Sequence, residues 1–208
     1  GCCSAMDIVL IDYGAGNLTS VVKGLTAVGA SPRIVTQPEA AAGADAFVIP
    51  GVGHFSATAS LAGAWTTTIR EAIDRGAPVL GICLGLQWLF EGSDEANDVT
   101  GLGLLPGRCF RLSGNVKVPH VGWNTLDAGA ARESRLLAGL PAGASAYFTH
   151  SYAAPIGAAS AAATTHGVPF ASAVETGRTF GVQFHPEKSG ATGLRMLENF
   201  LAVVREGR

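Results

Sequence analysis

Charge is scarce in this chain. Asp, Glu, Lys and Arg make up 14% of its 208 residues, and 14 basic against 16 acidic side chains leave a formal net charge of -2. No basic cluster exists, which argues against a nucleic-acid surface. Cysteine is also scarce. Cys2, Cys3, Cys83 and Cys109 offer neither a disulfide framework nor a metal-type C-x-x-C pair, so a reducing, cytoplasmic setting is expected. No uncharged apolar run approaches the roughly 18 residues that span a membrane. The first residues lack the basic and apolar regions of a secretory signal. Gly1 to Ala5 read as a loose leader before Met6, which suits a native start. Residues 6–208 then form a single domain, large enough to bury its own core.

What the chain does have is a strand-turn-helix stretch at 78–90. Pro78, Val79, Leu80 and Ile82 form an apolar run that reads as a buried strand. Gly81 and Gly85 bracket Cys83, and Leu86 to Phe90 suit a helix packed on a sheet. A residue between glycines at such a junction sits on a tight, exposed turn, the logic of a nucleophile elbow with cysteine in place of serine. The helix N-terminus would favour thiolate over thiol. On its own the motif also fits a small buried cysteine.

The flanking sequence alternates strands and helices, which points to an α/β fold with an open, mostly parallel sheet flanked by helices. Asp7 to Ile11 is the first strand. A turn at Asp12 to Asn17 opens a helix to about Val28. Ser31–Val35 and Ala46–Ile49 are further strands, and residues 56–75 are helical. The glycine-rich turn does not complete G-x-G-x-x-G, since Thr19 stands at the last position, and this excludes a dinucleotide site. Glu91 to Gly101 reads as a polar loop and Ser134 to Leu140 as a short helix. Residues 159–165 and 170–175 suit an antiparallel pair, so the sheet is mixed. Thr179 to Phe184 is a strand, and a final helix runs from about Ala191 to Arg205.

Cysteine chemistry needs a base near neutrality, and histidine supplies one. Of His54, His120, His150, His166 and His185, the last ends an apolar strand. Pro186 turns the chain there, and Glu187 follows two residues on, the same side of an extended segment. Cys83, His185 and Glu187 are therefore the candidate catalytic triad. The N–H of Leu84 and a second one from Gly51-Val52-Gly53, assigned to Val52, are the candidate oxyanion donors. Gln87, one turn after Cys83, suits a polar substrate.

The elbow Gly81-Ile82-Cys83-Leu84-Gly85-Leu86-Gln87 and the end His185-Pro186-Glu187 resemble class I glutamine amidotransferases. Asp12 to Leu18, Pro50 to Phe55, Pro119 to Asn124, Tyr147 to Tyr152 and Gly181 to Ser189 carry a narrower resemblance, to the glutaminase subunits of imidazole glycerol phosphate synthases. The likeness spans about residues 7–206. It implies a flavodoxin-like fold, hydrolysis of L-glutamine to glutamate and ammonia without metal or cofactor, and a (β/α)8-barrel cyclase partner, HisF, that receives the ammonia. It implies glutamine binding by Gly51, Gly53, Gln87, His150, Ser151 and Tyr152. It puts Asn17, His120, Trp123, Tyr147 and Lys188 near the subunit interface or ammonia passage, and it makes the Val52 loop dependent on the partner. Leu86, Trp88 and Val121 depart from the family's usual residues without touching the triad. A glutaminase serving pyridoxal phosphate, purine or anthranilate synthesis, or a related cysteine hydrolase, stays open at this point.

Overall fold

The computed structural model describes residues 5–129 and 133–207. Of the expected leader, residues 1–4 lie outside that range, as do Cys2 and Cys3. The chain begins with β1 (Ile8–Ile11), α1 (Leu18–Ala27), β2 (Arg33–Val35), β3 (Ala46–Ile49), α2 (Ala64–Asp74), β4 (Val79–Ile82) and α3 (Leu84–Trp88). Short strands follow: β5 (Gly92–Ser93), β6 (Ala96–Thr100), β7 (Arg108–Arg111), β8 (His120–Thr125), β9 (Ser145–His150) and β10 (Tyr152–Ala153). The chain closes with β11 (Ser160–His166), β12 (Val168–Thr176), β13 (Thr179–Val182) and α4 (Gly190–Glu206).

The main sheet has seven strands in the order β11-β12-β13-β4-β3-β1-β2. Pairing from β2 across to β13 is parallel. The β11-β12-β13 edge is antiparallel, as the turn at His166-Gly167 suggested. The central strands are apolar on both faces because both faces are covered. On one face Ile8, Leu10, Val48 and Ile82 meet Val21 and Leu25 of α1 and Leu197, Phe200 and Leu201 of α4. On the other, Val9, Ile11, Phe47 and Ile49 meet Trp65 and Ile69 of α2 and Trp88 of α3. Each such side chain contributes about 1.5–3 kcal/mol on burial.

Three local expectations give way. Glu91 to Gly101 is not a free loop but the hairpin β5-β6, extended by β7 and β10 into a four-stranded sheet. Short strands with one polar face leave little signal in sequence. Residues 133–140 form turns rather than a helix, since Pro141 follows closely and Leu136 and Leu137 are the pair buried there. The helix after Cys83 spans only five residues.

In an open parallel sheet, loops at the carboxyl ends of adjacent strands share one crevice. The loops after β1, β3, β4 and β13 are such neighbours here, and they carry Asn17, Val52, Cys83 and His185. The start of α3 lies directly against β3: a Cβ on Gly85 would stand 1.9 Å from the Ile49 carbonyl oxygen. Gly85→Ala is therefore expected to destabilise the protein by about 3 kcal/mol or prevent folding, read by urea unfolding.

Candidate active site

Cys83 has φ 54° and ψ -106°, one of two described non-glycine residues with positive φ. Such backbone costs about 1–3 kcal/mol and persists only where its surroundings enforce it. Here they do. The Cys83 N–H donates to the Val182 carbonyl at 2.8 Å. A Cβ on Gly81 would meet the Gly85 carbonyl oxygen at 2.6 Å, so the turn closes only with glycine on both sides. The five-residue α3 has a weak dipole, so the expected help from the helix N-terminus is small.

β13 brings His185 alongside. Its N–H donates to the Tyr147 carbonyl at 2.9 Å, and its carbonyl accepts from the Ser189 hydroxyl at 2.6 Å. His185 Nδ1 lies 2.8 Å from Glu187 Oε1, with side chains 0% and 1% exposed. The pairing expected from an extended segment is instead made by a tight turn at Pro186–Lys188, which folds the carboxylate back onto the ring. Asn17 Nδ2 donates to the same Glu187 oxygen at 2.6 Å. Asn17 thus braces the carboxylate, and makes no side-chain cap on α1. His185 Nε2 is buried without an aligned hydrogen bond. Burial opposes charge on this ring, but the adjacent Cys83 sulfur and the Glu187 carboxylate outweigh it and push the imidazole pKa up to about 9.

A cleft of about 250 Å³ opens over the sulfur, lined by Gly53, Gln87, Glu95 and the 149–152 segment, with Ser151 and Tyr152 included. Gln87 is 4% exposed, and its Nε2 donates to the Tyr152 carbonyl at 2.9 Å and to Gln183 Oε1 at 3.1 Å. With both N–H bonds engaged, what Gln87 offers a ligand is its oxygen, an acceptor. Glu95, which the sequence reading passed over as part of a loop, also lines the cleft; its Oε1 takes the Phe55 N–H at 2.6 Å. Its carboxylate suits an ammonium group. The only signal for it was an acid in the turn between two weak strands.

The two N–H groups expected as oxyanion donors both point elsewhere. The Leu84 N–H donates to the Gly51 carbonyl at 3.3 Å, and the Val52 N–H donates to the Ala15 carbonyl at 3.0 Å. One peptide, Gly51–Val52, thus blocks the first donor and turns the second away. Gly51 itself does not line the cleft; it lies under Tyr13, whose hydroxyl donates to the Pro50 carbonyl at 2.5 Å. With φ values of 144° and 101°, Gly51 and Gly53 leave the peptide between them easy to rotate.

The sequence pattern of glutamine amidotransferase class-I matches residues 9–204. Over 203 residues the chain is 47% identical to imidazole glycerol phosphate synthase subunit HisH of Halobacterium salinarum, covering 93% of this chain and 92% of that protein. It is 43% identical over 200 residues to the same subunit of Methanosarcina mazei, covering 94% of this chain and 98% of that one. The chain belongs to the class I glutamine amidotransferases and, within them, to the HisH family. Solved structures agree on the fold: the Trypanosoma brucei CTPS glutaminase domain superposes with a TM-score of 0.69 at 16% identity, over 97% of this chain and 94% of that one. A solved glutamine amidotransferase gives 0.73 at 18%, over 95% and 98%. The related cysteine-hydrolase alternative falls away with this membership, as do amidotransferases of other pathways.

Two histidines expected near the substrate or partner are linked to one another in this HisH-family site, and His150 lines the cleft. His150 Nδ1 donates to the Tyr152 carbonyl at 2.9 Å, so its Nε2 accepts from His120 Nδ1 at 3.0 Å. His120 Nε2 then accepts from Asn124 Nδ2 at 3.2 Å. His120 is 4% exposed, so it presents no surface to a partner. Both rings are neutral. Burial, then the neighbouring histidine His166, lowers His120 to about 4. Burial outweighs the Tyr152 carbonyl and lowers His150 to about 3. Trp123, by contrast, is 59% exposed and meets Tyr147 edge-on at 6.2 Å, with Val121 58% exposed beside it. Lys188 is exposed.

Two opposed pH effects on stability follow by linkage. His185 is raised on folding, so its contribution is full below pH 6.5 and is lost as pH climbs through about 9. His120 and His150 are lowered, so theirs is full above pH 6.5 and is lost as pH falls toward 4 and 3. Urea stability is expected to peak near neutrality. In Glu187→Gln the His185 titration followed by NMR should move to lower pH and the alkaline loss should shrink.

Proposed function

We propose that this glutaminase uses Cys83 as nucleophile, His185 as acid and base, and Glu187 to hold the His185 tautomer, within an imidazole glycerol phosphate synthase whose cyclase subunit is HisF. The observation that carries the assignment is the line from Asn17 through the buried Glu187 and His185 side chains to the strained Cys83, whose sulfur faces the imidazole.

The thiolate attacks the side-chain carbonyl carbon of L-glutamine, and the carbonyl electrons move onto oxygen. As the tetrahedral species collapses, the carbon–nitrogen bond breaks and His185 delivers its proton to the departing amine, giving ammonia and a cysteinyl thioester. Water then attacks the thioester and loses its proton to His185. The carbon–sulfur bond breaks, glutamate leaves, and the thiolate–imidazolium pair returns. Gln87 Oε1, Glu95 and the 150–152 backbone hold the amino-acid portion. The apolar pair Val121 and Trp123, with Tyr147 and Lys188 nearby, forms the docking face through which ammonia passes to HisF and on to synthesis of imidazole glycerol phosphate and AICAR. The reduced Cys83 and Cys109 suit a cytoplasmic setting, and among the described residues no helix is long and apolar enough to cross a membrane.

The oxyanion requires Leu84 and Val52 N–H groups pointing inward. Rotating the Gly51–Val52 peptide breaks two hydrogen bonds, about 1 kcal/mol each, which docking must supply. Cys83→Ala is expected to abolish glutamine hydrolysis while the complex still makes product from added ammonia; normal glutaminase activity in that variant would sink the triad assignment. Adding HisF and its nucleotide ligand should raise glutamine hydrolysis roughly 10²–10³-fold, the worth of a missing oxyanion donor. An unchanged rate would remove the conditional role of Val52.

A further inference from the structure

The Cys83 sulfur is held from a side that the triad does not use. Gln183, just beyond β13, is 0% exposed, and its Nε2 donates to Cys83 Sγ at 3.4 Å. A fully buried carboxamide is costly unless its polar atoms are paired, and an apolar residue would fill the same space. The way round that Gln183 sits is fixed by its neighbours. Its Oε1 takes one Gln87 N–H at 3.1 Å, while the other Gln87 N–H is held by the Tyr152 carbonyl at 2.9 Å. The Tyr152 carbonyl is in turn held by His150 Nδ1 at 2.9 Å. With its oxygen committed to Gln87, Gln183 can present only N–H to the sulfur. Its own backbone N–H is tied to the Ser172 carbonyl at 2.9 Å.

We propose that Gln183 is a positioning residue for the nucleophile: its carboxamide N–H holds the sulfur, favours the thiolate and keeps it aimed into the cleft. The proposal rests on Cys83 being the glutaminase nucleophile. The other groups facing the sulfur cannot do this job throughout a turnover. The Tyr13 hydroxyl is engaged by the Pro50 carbonyl. The His185 proton must leave with ammonia. The Gln183 N–H is not transferred, so it stays on the sulfur when the thioester breaks and negative charge returns there. With α3 only five residues long, the side chain supplies what a longer helix would otherwise contribute.

The test is the pH dependence of Cys83 alkylation by iodoacetamide in the full chain, with Cys83→Ala as background. Two variants serve. Gln183→Glu keeps the shape and the acceptor for Gln87 but removes the donor, and Gln183→Met removes both polar functions. The alkylation midpoint is expected to rise by about one pH unit in Gln183→Met, making the reaction about tenfold slower below the midpoint. The rise should be larger in Gln183→Glu, where a carboxylate faces the sulfur. In the complex with HisF, kcat for glutamine hydrolysis should fall with a smaller change in KM. If either variant folds and its alkylation midpoint matches the wild type, Gln183 is packing alone and the proposal is overturned, whatever the activity. Glutaminase activity retained in Cys83→Ala would overturn the nucleophile assignment instead, and leaves the alkylation profile to report the Gln183 contact by itself.

Discussion

The structure depends on one close approach, that of α3 to the carboxyl end of β3. At Gly85 the helix backbone lies where any side chain would enter the Ile49 carbonyl. That contact lets α3 start immediately after β4 and forces Cys83 into its left-handed turn. It also sets the Leu84 N–H within reach of the Gly51 carbonyl, so the proposed nucleophile and the proposed oxyanion loop are parts of one packing arrangement. Core burial on both sheet faces keeps the strands in place while the turn holds its strain.

Burial governs the chemistry as much as position does. His185, His120 and His150 are all buried, yet only His185 favours the proton. The difference lies in what faces each ring. His185 has a carboxylate braced by Asn17 and a sulfur; His120 and His150 have each other, Asn124 and a carbonyl. Desolvation decides where no anion stands nearby, and it yields where one does. His185 becomes a proton store, and His120 and His150 a neutral scaffold from the β8-β9 pair to the cleft. The same strand pair exposes Trp123 and Val121, so the proposed docking face and the cleft wall share two strands.

Readiness is divided unequally within this site. His185 and Glu187 are paired as the proposed triad needs, but two backbone hydrogen bonds hold the Gly51–Val52 peptide in the sense opposite to the one the proposed oxyanion site needs. Gly51 and Gly53, both at positive φ, allow the peptide between them to take either sense. A modest free energy from outside suffices to turn it, which suits an enzyme whose ammonia is useful only when a partner receives it.

The residues by themselves determined which segments form the strands of the parallel core, the elbow and the histidine-glutamate pair, because each leaves a local mark: apolar runs, bracketing glycines, and proline after histidine. Tertiary structure decided the rest. The hairpin at Glu91 to Gly101 has too little apolar alternation to be read, and Glu95 became a cleft residue only when it folded over Phe55. Gln183 was one amide in an apolar strand until β13 set it beside β4. Asn17 read as a helix start and a contact for a partner, yet the sheet carries it to Glu187, 170 positions away. The direction of the Gly51–Val52 peptide belongs to the fold alone, since glycine permits both senses and distant carbonyls choose between them.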